Sequence, residues 1–364
     1  ADGILFELEP VAGEILAGRE VRVEGAVKAS FLRREVVFRD LVKGELRKPL
    51  DGIKDLVIVR SNGTPVFHLA NVCDDAFQRI SHIIRGDDHV ENTFRHVLLF
   101  RALGHEPPAY AHLPMIVNAQ GKPYSKRDGD AFVGDFRDRG LLPEALFNYL
   151  ALLGWSPGDD REFLPREEMV EAFDLARVQQ SAARVDLRKL QWLNGEYLRR
   201  LPREEVAAGA RRELESASLW REDLGEDYFA RVLDVMEERI KTWADVVPQT
   251  RFFFDEDYTY DEKSVKKRLL KEGALEGLAA LRERFAALDD FQAESIEAAL
   301  QALAEEREES PGKLIHPVRV AVSGNMAGPS LYDMLALLGR ERVLARIDRT
   351  LGLYDGGAGE EPGR

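Results

Sequence analysis

Nine consecutive residues, Gly121-Lys122-Pro123-Tyr124-Ser125-Lys126-Arg127-Asp128-Gly129, set three cations and a hydroxyl between two glycines. Lys126 can offer a mobile ammonium to a polyphosphate and Ser125 a hydroxyl or a backbone amide, while the glycines let the backbone close over a charged ligand. Standing alone, the segment reads first as a basic surface turn. Upstream of it, Ile80-Ser81-His82-Ile83-Ile84-Arg85-Gly86-Asp87-Asp88-His89 is an apolar run that ends in an arginine, a glycine and two carboxylates. With Ile80 to Ile84 as a buried parallel strand, Arg85, Asp87 and Asp88 fall at its carboxyl end, where open α/β sheets collect ligands. A guanidinium there can hold an anionic group through a charge-assisted, often bidentate contact. The other reading of Arg85 is an ion pair with Asp87 or Asp88.

The elements that must position these groups follow from the hydrophobic period. Alternation in Val21-Arg22-Val23-Glu24 and in Val36 to Leu41 predicts short strands between Glu20 and Glu45. Leu56 to Val59 reads as a compact buried strand, Ser61 to Thr64 as a turn, and Pro65 to Asn71 as a second extended stretch. His89 to Leu103 reads as a helix capped by Asn92 and Thr93, with Val97, Leu98, Phe100 and Leu103 on its apolar face. Ala111 to Val117 returns as a strand carrying Met115 and Ile116, and the basic loop follows it. Past Gly140 strand signals fade and amphipathic helices dominate, with a boundary near Arg200 to Pro202; Gly356 to Arg364 reads as a disordered tail. The fold class is α/β followed by all-α.

Composition narrows the function classes. With 364 residues, 45% hydrophobic and 32% charged, the chain can bury two or three cores. It contains no run of about 18 apolar residues that would span a membrane, and no basic apolar leader marks it for export, so a cytoplasmic location is expected. The single cysteine, Cys73, excludes an intramolecular disulfide and a thiolate zinc site, and reads as a small core residue. A net charge of −14 argues against a nonspecific nucleic-acid coat but leaves local basic stripes at Lys122 to Arg127, Arg184 to Lys189, Arg199 to Arg203 and Lys263 to Lys271. The last of these is either a solvated helix face or an RNA contact.

Several phrases, in this order, resemble the bacterial glutamyl-tRNA synthetases, a family of class I aminoacyl-tRNA synthetases. They are Ser61-Asn62-Gly63-Thr64-Pro65-Val66-Phe67-His68-Leu69-Ala70-Asn71, then Ile84 to His89, Ala111-His112-Leu113-Pro114, and Ser125-Lys126-Arg127 as the signature loop. Leu142 to Ser156 and Leu190 to Gly195 follow, and Lys313 to Gly324 is similar to the family's anticodon-contacting segment. The resemblance runs from about Val36 to Gly352. It implies that 1–55 is a remnant of an inserted acceptor-binding domain and 56–136 the second half of a Rossmann-like catalytic domain. Residues 137–200 would be a helical stem-contact region, 201–355 a helical anticodon-binding domain and 356–364 the tail. Helical spacing from Ser330 to Leu351 separates the chain from glutaminyl enzymes, which carry β-barrels there, and from a short base-modifying paralogue that lacks the region.

The implied reaction is ATP-dependent activation of glutamate and transfer of the glutamyl group to the 3′ end of tRNA(Glu). Lys126, helped by Ser125, would stabilise charge on the phosphates; Lys126, Arg127, Asp88, Met115 and Ile116 would bind ATP, with Mg²⁺ carried on the nucleotide and no structural zinc. Arg85, Asn71 and Phe67 would hold glutamate, and Arg319 and Lys313 would meet tRNA. Phe67 departs from the family's usual tyrosine, which removes a hydrogen bond worth about 0.5–1.5 kcal/mol. Pro123-Tyr124 replaces the usual Lys-Leu or Lys-Met, shifting one cation to Lys122. None of the seven histidines stands in the family's His-x-Gly-His signature, and residues 1 to about 34 match the family poorly. The chain is therefore expected to be the carboxyl-terminal portion of a longer, monomeric enzyme that by itself binds tRNA without forming an adenylate. The alternative is a non-catalytic tRNA-binding module derived from that enzyme.

Overall fold

The computed structural model describes residues 35–125, 127 and 132–354. The chain divides into two units: residues up to 127 together with Phe147–Asp186, and Phe132–Leu146 together with the chain from Leu187 onward. In the first unit, β1 (Glu35–Asp40) and β2 (Gly44–Pro49) pair antiparallel across a turn in which Gly44 takes φ +78°. After them come α1 (Phe67–Phe77), β3 (His82–Gly86), α2 (Val90–Ala102) and β4 (Ala109–Leu113). β3 and β4 are parallel, and the strand order is β2-β1-β4-β3. The alternation of β1 places Val36, Phe38 and Asp40 on its buried face. Val36 and Phe38 join Phe94, Val97 and Tyr110 in a core between sheet and α2. A further two-stranded pair, β5 (Ile116–Val117) with β6 (Ala183–Arg184), lies beside a small core of Ala111, Trp155, Leu164, Met169 and Val178.

Several expectations change here. Leu56 to Val59 is not a buried strand: Val57 is 68% exposed and the only ladder contact is a single bridge from Val59 to Pro65. Pro65 to Asn71 is not extended, because α1 starts at Phe67; the run Leu69-Ala70-Asn71-Val72-Cys73 lacks alternation, and Val72 alone in α1 is buried. Ile80 to Ile84 does yield a parallel strand, but from His82 and at the sheet edge, so Ile84 stays exposed. Asn92 and Thr93 do not cap α2, which begins a turn earlier, after His89. Ala111 to Val117 is broken at Pro114-Met115 into β4 and β5. Cys73 is exposed rather than core. The expectations for Val21 to Glu24, for Lys126 and for the tail lie outside the described residues.

The second unit is helical. Its helices include Leu187–Leu198, Arg203–Ser216, Glu226–Met236, Val246–Phe254, Ala274–Ala286, Ala293–Glu306, Gly312–Ser323, Leu331–Leu338 and Arg340–Tyr354. They enclose one core containing Leu214, Phe229, Met236, Phe253, Leu278, Phe285, Val318 and Ile347. Arg346, buried at 2% exposure, is the polar centre of that core. It donates to Val322 O at 2.6 Å, to Phe252 O at 2.8 Å and to both carboxylate oxygens of Glu256 at 2.9 Å. Burial alone would raise the Glu256 carboxyl, but Arg346 and Arg342 prevail and hold it down to about 2. Gly324 ends Gly312–Ser323 at φ +75°, where a Cβ would stand 2.1 Å from Thr259 O, so no other residue fits without backbone movement.

Arg346→Met keeps the bulk but orphans two buried carbonyls. It should cost about 3 kcal/mol, read in chemical denaturation as a lower midpoint at unchanged slope.

Candidate functional site

The site of the first unit is built from Asp40 outward. Its carboxylate is 2% exposed and accepts the backbone N–H of Val42 and of Lys43, both at 2.9 Å, which shapes the β1–β2 turn. From β4 it accepts the N–H of His112 at 3.1 Å and the ring Nδ1 at 2.6 Å. Burial would raise the Asp40 carboxyl, yet these hydrogen bonds outweigh it and hold it below its ordinary value. For His112, burial is the main cause of a lowered pKa, with Asp40 opposing and Arg85 adding. His112 Nε2 meets Thr93 Oγ1 at 2.9 Å, and Arg85 at the end of β3 donates from Nη2 to Thr93 Oγ1 at 2.6 Å and from Nε toward His112 Nε2 at 3.4 Å. The Arg85 guanidinium lies over the Tyr110 ring at 5.5 Å.

Arg85 makes no ion pair among the described residues. Asp87 is taken by Lys43 at 2.9 Å, and Asp88, exposed, lies 3.8 Å from His89 Nε2. Burial lowers the Arg85 pKa, with Tyr110, Asp75 and Asp88 opposing from a distance. Its Nη1 has no hydrogen bond among the described residues. Among the described residues, Asn71 Oδ1, Asp75 Oδ2 and Tyr110 OH are buried without a partner, and burial raises the Asp75 carboxyl, with Arg85 opposing. Phe67 and Asn71 stand four residues apart and so share a face of α1. The Phe67 ring, 55% exposed, rests 6.2 Å from that of His89, whose carbonyl lies 3.5 Å from Arg85 Nη2. Phe67 and Arg85 thus meet through His89. Behind them His96 is fully buried, 3.1 Å from His68 Nδ1, and burial, then Arg85 and His68, push its pKa down to about 3.

The other expected residues fall elsewhere. Met115 O accepts Ala183 N at 2.8 Å and Ile116 O accepts Tyr124 N at 2.9 Å, so one lone pair of each carbonyl serves the fold. Asn118 closes the turn before the basic loop, its Oδ1 accepting the N–H of Gln120 and of Lys122 at 3.0 Å. Ser125 and Arg127 are exposed, and Ser125 Oγ accepts Arg127 N at 3.4 Å; Lys126 lies outside the described residues. In the helical unit Arg319 is 9% exposed, its Nη1 buried without a partner, and burial lowers its pKa, with Arg239 adding. Lys313 is exposed, 3.9 Å from Glu309, and lines a cavity of about 560 Å³ with Lys267, Arg268, Lys271 and His316. Among the described residues no group of three or more His, Cys, Asp or Glu is placed to hold a metal ion.

Asp40, Thr93 and His112, joined to Arg85 by hydrogen bonds, were not singled out as site residues in the sequence. A signal for Asp40 was present: strand alternation from Val36 and Phe38 puts it on the buried face, where a carboxylate must find donors.

Comparison with known proteins places the chain. The family described as tRNA synthetases class I (E and Q), catalytic domain, matches residues 22–192, and the anticodon binding domain family matches residues 205–351. Glutamate–tRNA ligase of Moorella thermoacetica is 42% identical over 316 residues, covering 86% of this chain and 64% of that protein. Glutamate–tRNA ligase of Methylacidiphilum infernorum is 39% identical, covering 88% of this chain and 72% of that protein. Among solved structures, a glutamate tRNA ligase from Elizabethkingia meningosepticum in complex with its amino acid superposes with a TM-score of 0.69 at 31% identity, covering 88% of this chain and 66% of that one. The chain spans under two thirds of the length of the Moorella relative.

Because His96 is uncharged in the folded unit down to about pH 3 but titrates near 6.5 when unfolded, stability is full above pH 6.5 and is lost as pH falls below it. The slope should approach about 1.4 kcal/mol per pH unit. Thermal denaturation between pH 7 and 4 should show this loss in the first unit, and His96→Gln should flatten it.

Proposed function

We propose, for a chain that belongs to the glutamate–tRNA ligase family of class I tRNA synthetases, that it works within an ATP-dependent ligase joining glutamate to the 3′ end of tRNA(Glu). An α-carboxylate oxygen of glutamate attacks the ATP α-phosphorus and pyrophosphate leaves; a terminal ribose hydroxyl of the tRNA then attacks the acyl carbon and AMP leaves. Neither step needs a nucleophilic side chain, so the protein contributes position and charge. The observation that carries this reading is Arg85. It is a half-buried guanidinium whose hydrogen bonds go only to uncharged acceptors and whose Nη1 is free for an anion. Were Asp87 bound to it, its charge would be cancelled; Lys43 holds that carboxylate away.

Around this centre, Arg85 reads the side-chain carboxylate of glutamate, with Asn71 and Phe67 as neighbours on α1. Ser125, Lys126 and Arg127 attend the phosphates of ATP, whose adenine meets the backbone of Met115 and Ile116 and whose Mg²⁺ travels with it; Asp88 belongs to the same substrate. Lys313, exposed, and Arg319, whose buried Nη1 has no partner among the described residues, belong to the region that meets tRNA. The chain divides into an inserted-domain remnant (1–55), a catalytic part (56–136), a stem-contact region (137–200), an anticodon-binding region (201–355) and a tail (356–364), in a cytoplasmic monomer.

In the full-length polypeptide, Arg85→Met should lower the preference for glutamate over glutamine, measured as the ratio of kcat/KM in tRNA charging, by about 100-fold or more. Equal losses for both amino acids would refute the assignment. Lys126→Ala should slow single-turnover charging by about 100-fold with little change in the KM for glutamate. An unchanged rate would remove Lys126 from the reaction.

A further inference from the structure

We infer that Asp40, His112 and Thr93 form a buried positioning chain that holds Arg85 for its ligand while keeping every carboxylate out of contact with it. The inference rests on the reading of Arg85 given above. All three residues are buried, at 2%, 0% and 0% exposure. They link Arg85 Nη2 to Thr93 Oγ1 at 2.6 Å, Thr93 Oγ1 to His112 Nε2 at 2.9 Å, and His112 Nδ1 to Asp40 Oδ2 at 2.6 Å.

Both ends of the chain have fixed polarity. A guanidinium only donates and an ionised carboxylate only accepts, so the protons between them point one way when the Thr93 hydroxyl turns to His112 Nε2 at 2.9 Å rather than to its other acceptor, the His89 carbonyl at 3.1 Å. Arg85 donates to Thr93, the Thr93 hydroxyl donates to Nε2 of His112, and His112 donates from Nδ1 to Asp40. The Arg85 Nε at 3.4 Å also faces the bare Nε2. Successive bonds aligned head to tail polarise one another, and the chain acts as an ion pair stretched across two neutral side chains. A carboxylate touching Arg85 would occupy its donors and repel an anionic ligand. This arrangement compensates the charge at a distance, fixes the guanidinium plane over Tyr110 and leaves Nη1 open. Thr93 is therefore a specificity-determining position that never touches the ligand.

The test uses the full-length polypeptide. Thr93→Val keeps the shape and removes the hydroxyl, and should lower kcat/KM for glutamate about tenfold or more. Glutamine should change less, and the KM for ATP should stay put. Thr93→Ser restores the hydroxyl and should restore the preference. Equal losses for glutamate and glutamine, or a serine variant as poor as the valine one, would overturn the inference. If Arg85→Met abolishes the preference while Thr93→Val retains it, the positioning chain fails alone; if Arg85→Met leaves the preference intact, the reading of Arg85 itself fails. Should Thr93→Val not fold, ¹⁵N spectra of the histidine rings in the unsubstituted protein decide. His112 must carry its proton on Nδ1 with Nε2 bare, and the opposite tautomer would overturn the proposal.

Discussion

A carboxylate cannot be buried at a strand end unless its oxygens are filled, and the site of the first unit follows from how Asp40 meets that demand. Two of its donors are the amides of Val42 and Lys43, so its ionisation and the geometry of the β1–β2 turn are one requirement. The other two come from the backbone and ring of His112, which ties the end of β1 to β4. With one ring nitrogen committed to Asp40, the other can only accept, and it turns to Thr93 on α2 and Arg85 on β3. Four elements of the unit thus converge on the consequences of one buried charge.

Charge around Arg85 is arranged by the same logic. His68, His96 and His112 are all shifted by burial toward their uncharged forms, and Arg85 pushes each further. The guanidinium therefore stands near three rings held toward their neutral forms. Asp75 faces it with a carboxyl that burial raises, and Asp87 is drawn off by Lys43. What results is a cation whose hydrogen bonds go to uncharged groups while Asp75 and Asp88 act on it only from a distance, a condition that favours a ligand carboxylate.

The helical unit handles its buried arginines differently. Arg346 is paired directly with Glu256 and caps two carbonyls, so its donors are spent on holding helices together. Arg319 sits in Gly312–Ser323 with a buried Nη1 that no described group accepts. One guanidinium has its partners complete; the other, also buried, has an Nη1 with none among the described residues. Residue type alone does not separate the two.

The sequence by itself determined the order of the architecture, since the loss of strand alternation past Gly140 and the persistence of helical spacing depend only on local period. It also placed Arg85 at the carboxyl end of a parallel strand, and the Ser61 to Thr64 turn was legible from its Asn-Gly pair. Tertiary structure decided what local period cannot. Leu56 to Val59 has the composition of a buried strand but among the described residues makes a single bridge, Val59 to Pro65, and Pro65 to Asn71 became helical from Phe67. Asp40 and His112 are 72 residues apart, and their contact exists because β1 and β4 are neighbours. Local sequence sets which face of an element is apolar. Which donor reaches a buried acceptor depends on which elements lie side by side, and that is settled only when the whole unit has packed.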